Sequence, residues 1–329
     1  MTISKRVRQG VPPFDPELGG PLREILDRLP TPLTPELIAD RRRRSAEGRL
    51  SDDDIARGGM FEIEERRVPG PDGARDVPLL ICRPTTGTGP YPVVYNTHGG
   101  GMVAGSNRST ELAGELDRAA ELGLAVVAPD YRLAPEHPDP APVEDCYAGL
   151  TWVADHGREI DVDPGRIILS GNSAGGALAA GLALLARDRG TPRLLGQMLQ
   201  FPMLDDRCDT FSVRQMARVG LWDGLSNLAG WTALLGERRG TAEVSPYAAP
   251  ARAADLSGLP PALIEVGSVE ALRDEGIDYA SRVWRAGGEA ELHVWSGAFH
   301  SFDEWVPEAV VSRTAHEVRV AWLRRLLSR

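Results

Sequence analysis

Lysine is almost absent from this chain: Lys5 is the only one in 329 residues, so positive charge is carried by arginine. Basic residues number 37 against 47 acidic ones, for a net charge of −10. No basic surplus is available to track a phosphate backbone, and no nucleic-acid partner is expected. The one basic run, Arg41 to Arg44, reads as a solvated helix end offset by Asp52, Asp53 and Asp54 nearby. Cysteine is scarce as well. Cys82, Cys146 and Cys208 are odd in number, far apart and outside any Cys-x-x-Cys or Cys/His ligand spacing. Structural disulfides and zinc are therefore not expected, and reduced cytoplasmic thiols are. No stretch reaches the roughly 18 continuous apolar residues of a membrane span, and the N-terminus has no apolar secretory core. The expectation is a soluble cytoplasmic protein without metal or cofactor, with a homo-oligomer left open.

What is present is enough to build a large core. A 42% hydrophobic chain of this length suits one large domain plus a subordinate element. Helical spacing through residues 16–48 (Leu22, Ile25, Leu26, Leu29, Leu37, Ile38) is broken at Pro30, Pro32 and Pro35, which predicts two short helices. Residues 60–68 and 77–83 flank Pro-Gly-Pro-Asp-Gly and read as an antiparallel pair. From residue 92 short apolar runs (92–96, 124–129, 166–171, 196–201, 262–267, 291–295) alternate with helical segments. That alternation predicts an α/β fold, with a mostly parallel sheet buried on both faces. It fails once, between 203 and 258, where helices follow one another without a strand. The expected organisation is 1–55 as N-terminal helices contributing to a cap, 56–202 as core, 203–255 as a helical cap insertion and 256–329 as the rest of the core.

Gly171-Asn172-Ser173-Ala174-Gly175 stands between the strand RIILS and an Ala/Leu-rich helix. Gly-x-Ser-x-Gly at such a junction is the nucleophile elbow, whose small flanking residues permit a strained turn that lifts the serine hydroxyl above the sheet. A phosphate-binding helix start is the alternative, but neither glycine-rich loop continues into the Lys-Ser/Thr of a nucleotide site. His98-Gly99-Gly100-Gly101 closes the strand PVVYN. Glycines there let backbone N–H groups approach the charge that develops on a carbonyl oxygen during acyl transfer. The other donor would be the N–H of the residue after the serine, Ala174. Of six histidines, His98 belongs to that loop, His137 sits among prolines, His156 and His316 lie in helices and His293 in a strand. His300 follows the last strand, where an α/β-hydrolase carries its base. The acid must then end a strand between Ser173 and His300, and Glu270, Asp274 and Glu275 occupy that slot. Position favours Glu270, in the loop directly after the strand, because the other two fall where a helix starts.

These motifs, together with Asp130-Tyr131-Arg132-Leu133-Ala134-Pro135-Glu136-His137-Pro138, Leu272-Arg273-Asp274-Glu275-Gly276 and Phe299-His300-Ser301-Phe302, resemble the hormone-sensitive lipase family of α/β-hydrolases, mostly bacterial carboxylesterases. The resemblance runs from about residue 60 to the C-terminus. It implies a cofactor-free serine esterase acting on a small-molecule ester, with a helical cap and a pocket for short acyl chains. By that resemblance Ser173 would be the nucleophile, His300 the base and Glu270 the acid, with Gly99, Gly100 and Ala174 as the oxyanion donors and Gly101 in support. Two departures stand out: Asn172 precedes the serine where Asp or Thr is common, and Glu270 stands where the family usually has Asp. The segment from Asp130 to Pro138 is expected to brace the site through Arg132, Glu136 and Asp145. Lactone or amide hydrolysis and acyl transfer remain alternative reactions on the same triad. A ligand-binding role is known in the similar plant gibberellin receptors, but these lack the catalytic histidine.

Overall fold

The computed structural model describes residues 10–29 and 31–329. Eight strands form one sheet: β1 (Phe61–Val68), β2 (Val77–Pro84), β3 (Tyr91–Thr97), β4 (Ala125–Pro129), β5 (Val162–Asn172), β6 (Gly196–Gln200), β7 (Ala262–Gly267) and β8 (Ala290–Trp295). Their spatial order is β1-β2-β4-β3-β5-β6-β7-β8. β2 runs antiparallel to both its neighbours, and every other pair is parallel. β4, β6 and β7 are buried along their whole length, as strands covered on both faces must be, whereas the edge strand β8 is only partly buried. β5 begins at Val162, four residues ahead of its apolar run, because Val162 already pairs with Tyr91 before the register shifts ahead of Val93.

The helices are α1 (Pro16–Leu26), α2 (Ile38–Glu47), α3 (Asp52–Ala56), α4 (Leu112–Leu122), α5 (Ala141–His156), α6 (Ala174–Arg189), α7 (Phe211–Gln215), α8 (Gly224–Leu235), α9 (Arg273–Arg285), α10 (Phe302–Trp305) and α11 (Val310–Leu327). α6 is apolar on every side and is buried from Ala174 through Ala186. No strand interrupts residues 203–258, where α7 and α8 lie. α1 inserts Leu18 and Leu22 among Leu221, Phe299 and Phe302. Farther along, the Leu33 N–H donates to Ser226 Oγ of α8 at 2.9 Å. The N-terminal helices thus rest on the inserted segment and on the loop that carries His300. No helix among the described residues is long and apolar enough to cross a membrane.

The arginine run differs from expectation. It runs through the middle of α2 and reaches the last turn only at Arg44, and Asp52 and Asp54 do not offset it. Arg43 and Arg44 pair with Asp40, whereas Asp52 pairs with Arg108 and Asp54 closes a capping box with Ser51. Spacings of three and four residues along one helix bring Asp40 to its partners. Arg42 binds Glu136 at 2.6 Å and the carbonyls of Val103 and Ala134, each at 2.7 Å. Arg41 turns inward and lines the central cavity.

Candidate active site

The elbow is visible as backbone geometry. Ser173 has φ 59° and ψ −118°, a conformation that a non-glycine residue holds only when its surroundings enforce it. A Cβ on Gly171 would stand 2.2 Å from the Gly175 carbonyl oxygen, and one on Gly175 would stand 1.9 Å from that of Thr97. Both positions therefore demand glycine. The Ser173 N–H donates to the Gln200 carbonyl at 2.8 Å, which ties the elbow to the end of β6.

Because β3, β5 and β7 are parallel, their carboxyl ends lie along one edge of the sheet. Ser173 Oγ lies 2.9 Å from His300 Nε2, and His300 Nδ1 lies 2.7 Å from Glu270 Oε2. All three residues are buried. Glu270 Oε1 accepts the Gly267 N–H at 2.5 Å, so each carboxylate oxygen faces a donor. With Glu270 accepting at Nδ1, the imidazole proton is fixed there and Nε2 is left to accept from the serine. Asp274 and Glu275 lie elsewhere, in the first turn of α9. Asp274 accepts the Ser212 N–H at 2.7 Å and pairs with Arg273, while Glu275 accepts the Leu204 N–H at 2.9 Å. Both tie α9 to the inserted segment.

The oxyanion loop requires one correction. The Gly99 N–H donates to Glu111 Oε1 at 2.7 Å, so it is committed and cannot serve a substrate oxygen. Among the described residues the N–H groups of Gly100, Gly101 and Ala174 have no protein acceptor. Gly100 and Gly101 both adopt positive φ, at 104° and 65°, which carries the loop over the serine. Behind it, the His98 ring stacks on Tyr131 with centroids 4.0 Å apart, and the Tyr131 hydroxyl donates to the His98 carbonyl at 2.8 Å. Burial lowers the His98 pKa and keeps the ring neutral. Arg132 is held to Asp145 at 2.6 Å, and Arg42 holds Glu136 down to about 2. On the other side of the serine, the Ser301 hydroxyl donates to Asn172 Oδ1 at 3.0 Å, joining the elbow to the histidine loop.

The serine, the histidine and the glycine loop open into a cavity of about 250 Å³. Leu29 and Arg41 from the N-terminal segment line it, together with Leu221 and Trp222 from the insertion and Glu304 from α10. Trp222 lies 6.4 Å from the His300 ring and 5.4 Å from the Arg41 guanidinium carbon, centroid distances in both cases. Thr110 donates to Glu304, whose carboxyl is pushed up to about 8 by burial and by the neighbouring Glu111. Among the described residues, no group of three or more His, Cys, Asp or Glu side chains is placed to hold a metal ion.

Sequence reasoning missed Glu111, Trp222, Glu304 and Arg41. Nothing in the local spacing marks the first three. Arg41 did leave a signal: a helix turns once in about 3.6 residues, so four consecutive arginines cannot all face solvent on a packed helix.

The sheet order, the elbow and the glycine loop together define an α/β-hydrolase. A family profile described as alpha/beta hydrolase fold matches residues 93–304. Carboxylesterase NlhH of Mycobacterium tuberculosis is 38% identical over 236 residues, covering 70% of this chain and 72% of the relative. Among solved structures, Bacterial Heroin Esterase superposes with a TM-score of 0.86 at 38% identity, covering 95% of this chain and 98% of that one. A thermostable esterase from Pseudomonas putida ECU1011 superposes with a TM-score of 0.83 at 29% identity, covering 94% and 96%. The chain belongs to the hormone-sensitive-lipase-like esterase family of α/β-hydrolases and is a carboxylic ester hydrolase.

Proposed function

We propose that this enzyme hydrolyses esters of short acyl chains through a Ser173-His300-Glu270 triad and an acyl-enzyme intermediate. Ser173 Oγ attacks the ester carbonyl carbon while His300 Nε2 removes its proton. Glu270 holds Nδ1–H and stabilises the imidazolium that forms. The oxyanion of the tetrahedral intermediate accepts from Gly100, Gly101 and Ala174, in a buried setting where such donors act strongly. His300 then returns the proton to the leaving alcohol. A water activated by the same histidine cleaves the acyl-serine bond, releasing the acid and restoring the serine. The observation that carries this reading is the continuous 2.9 and 2.7 Å contact chain from a serine at positive φ to a buried carboxylate.

Residues 10–29, 31–55 and 203–255 form the cap in this reading, residues 1–9 of the expected cap segment lying outside the described residues, and the support is that Leu29, Arg41, Leu221 and Trp222 wall the cavity. A space of about 250 Å³ bounds the acyl group that fits. Nitrophenyl esters of increasing acyl length test this. Turnover is expected to peak at two to about six carbons and to fall beyond that. Rates rising steadily to long chains would contradict a closed cap.

A further inference from the structure

Among the described residues, Arg41 is the one member of the arginine run without a hydrogen-bond partner, with Glu304 and Glu111 acting on it only through space. Arg42 binds Glu136, and Arg43 and Arg44 bind Asp40, but among the described residues nothing accepts a hydrogen bond from Arg41. Its side chain is partly buried, lines the catalytic cavity and places its guanidinium carbon over the Trp222 ring, 5.4 Å from the centroid. The face of the indole takes up no N–H, so the five guanidinium donors are left to find acceptors elsewhere. A buried cation without an acceptor carries a desolvation penalty that a complementary ligand removes. The same indole lies 6.4 Å from the His300 ring, so the cation stands two ring contacts from the base.

The other charged groups lining the cavity do not neutralise it by contact. Arg44 is held by Asp40 and donates to the Arg28 carbonyl. Glu111 spends one oxygen on the Gly99 N–H. Glu304 accepts from Thr110, and burial together with the neighbouring Glu111 pushes its carboxyl up to about 8. A guanidinium with free N–H groups on one edge matches a carboxylate, which it binds through two parallel hydrogen bonds.

Building on the ester-hydrolase reading of this pocket, we infer that Arg41 is a specificity-determining residue and that the preferred substrates are esters bearing a free carboxylate. The carboxylate can enter on either side of the scissile bond. On the acyl side the substrate is a half-ester of a dicarboxylic acid. On the alcohol side it is an ester of a hydroxy acid. In both cases hydrolysis is the ordinary one: the acyl-oxygen bond breaks, water adds across it, and a second carboxylate forms.

Three esters separate these cases: ethyl butyrate, ethyl hydrogen glutarate with the acid on the acyl side, and butyryl glycolate with the acid on the alcohol side. The quantity read is the ratio of kcat/KM for each acid-bearing ester to that for ethyl butyrate. At least one ratio is expected to exceed about 10 in the unmodified enzyme, and Arg41→Met is expected to lower that ratio by about 10- to 100-fold, mainly through KM. Arg41→Lys, which keeps the charge and loses the fork, is expected to fall between the two; it also serves as the test if Arg41→Met does not fold. Ratios near one in the unmodified enzyme, or an unchanged ratio in both variants, would overturn the role of Arg41 while leaving ester hydrolysis intact. Hydrolysis of none of the three esters, with no labelling by a fluorophosphonate, would overturn the ester-hydrolase reading and this inference with it.

Discussion

Glu270 reaches His300 with both carboxylate oxygens engaged, one by the imidazole and one by the Gly267 N–H. An amide at this position must turn its NH₂ toward one of those two donors. Glu270→Gln is therefore expected to reduce turnover by roughly 10⁴-fold through the wrong histidine tautomer, and Glu270→Asp to reduce it partially, because the carboxylate is set back by one methylene. Asp274 meets the Ser212 N–H and Arg273 instead. Asp274→Asn should cost about 0.5–2 kcal/mol of stability and leave turnover nearly intact. A large turnover loss in folded Asp274→Asn with Glu270→Gln near normal would reverse the assignment. Glu304 carries a different expectation. Burial and the neighbouring Glu111 push its folded carboxyl up from the ordinary 4.5 to about 8. Its contribution is therefore intact below the ordinary value and is lost as pH rises toward and through 8. Glu304→Gln keeps the acceptor for Thr110 and removes the ionisation. The difference in melting temperature between the two proteins should shift in favour of the variant from pH 5 to pH 9, and parallel curves would contradict this. The place of Glu270 beside His300 was legible from one sequence because its loop follows an apolar run directly. The committed state of the Gly99 N–H was not, because Glu111 reaches it from beyond the turn.

The elements with strong apolar patterning could be read directly: β3 to β8 and α6 lie within a few residues of their apolar runs. Burial on both faces produces continuous apolar runs, and a helix covered on all sides produces a composition without a polar stripe. Less legible were the elements whose role depends on distant partners. α2 reads as a charged surface helix, and only its contacts with Trp222, Val103 and Ala134 reveal it as part of a wall. The early start of β5 is also set by a partner, Tyr91, and not by its own sequence. α1 and α2 together place Leu18, Leu22 and Ile38 in buried clusters and supply Arg41 to the cavity. Deleting residues 1–50 should expose Phe299, Phe302 and Trp222 and open the cavity. Loss of soluble yield or of activity is expected in a comparison with the full chain. A truncated protein with full activity and an unchanged melting curve would show that these helices are not part of the site.

Across the whole molecule, the catalytic candidates are separated by 127 residues between Ser173 and His300 and by 30 between Glu270 and His300. The parallel order β3-β5-β6-β7-β8 brings these distant positions to one edge, since each crossover returns the chain in the same direction. This convergence was readable because each motif sits at a strand end, which fixes its place along the sheet edge. The shape of the cavity was not, since its wall joins a segment before the first strand to one inserted after β6. Every proposed step of the reaction depends on Ser173 as a covalent nucleophile. Treating the enzyme with a fluorophosphonate and mapping the adduct by peptide mass spectrometry tests this directly. One label on the peptide containing Ser173 is expected, with neither label nor ester hydrolysis in Ser173→Ala; a label on another residue, or undiminished hydrolysis in that variant, would contradict it.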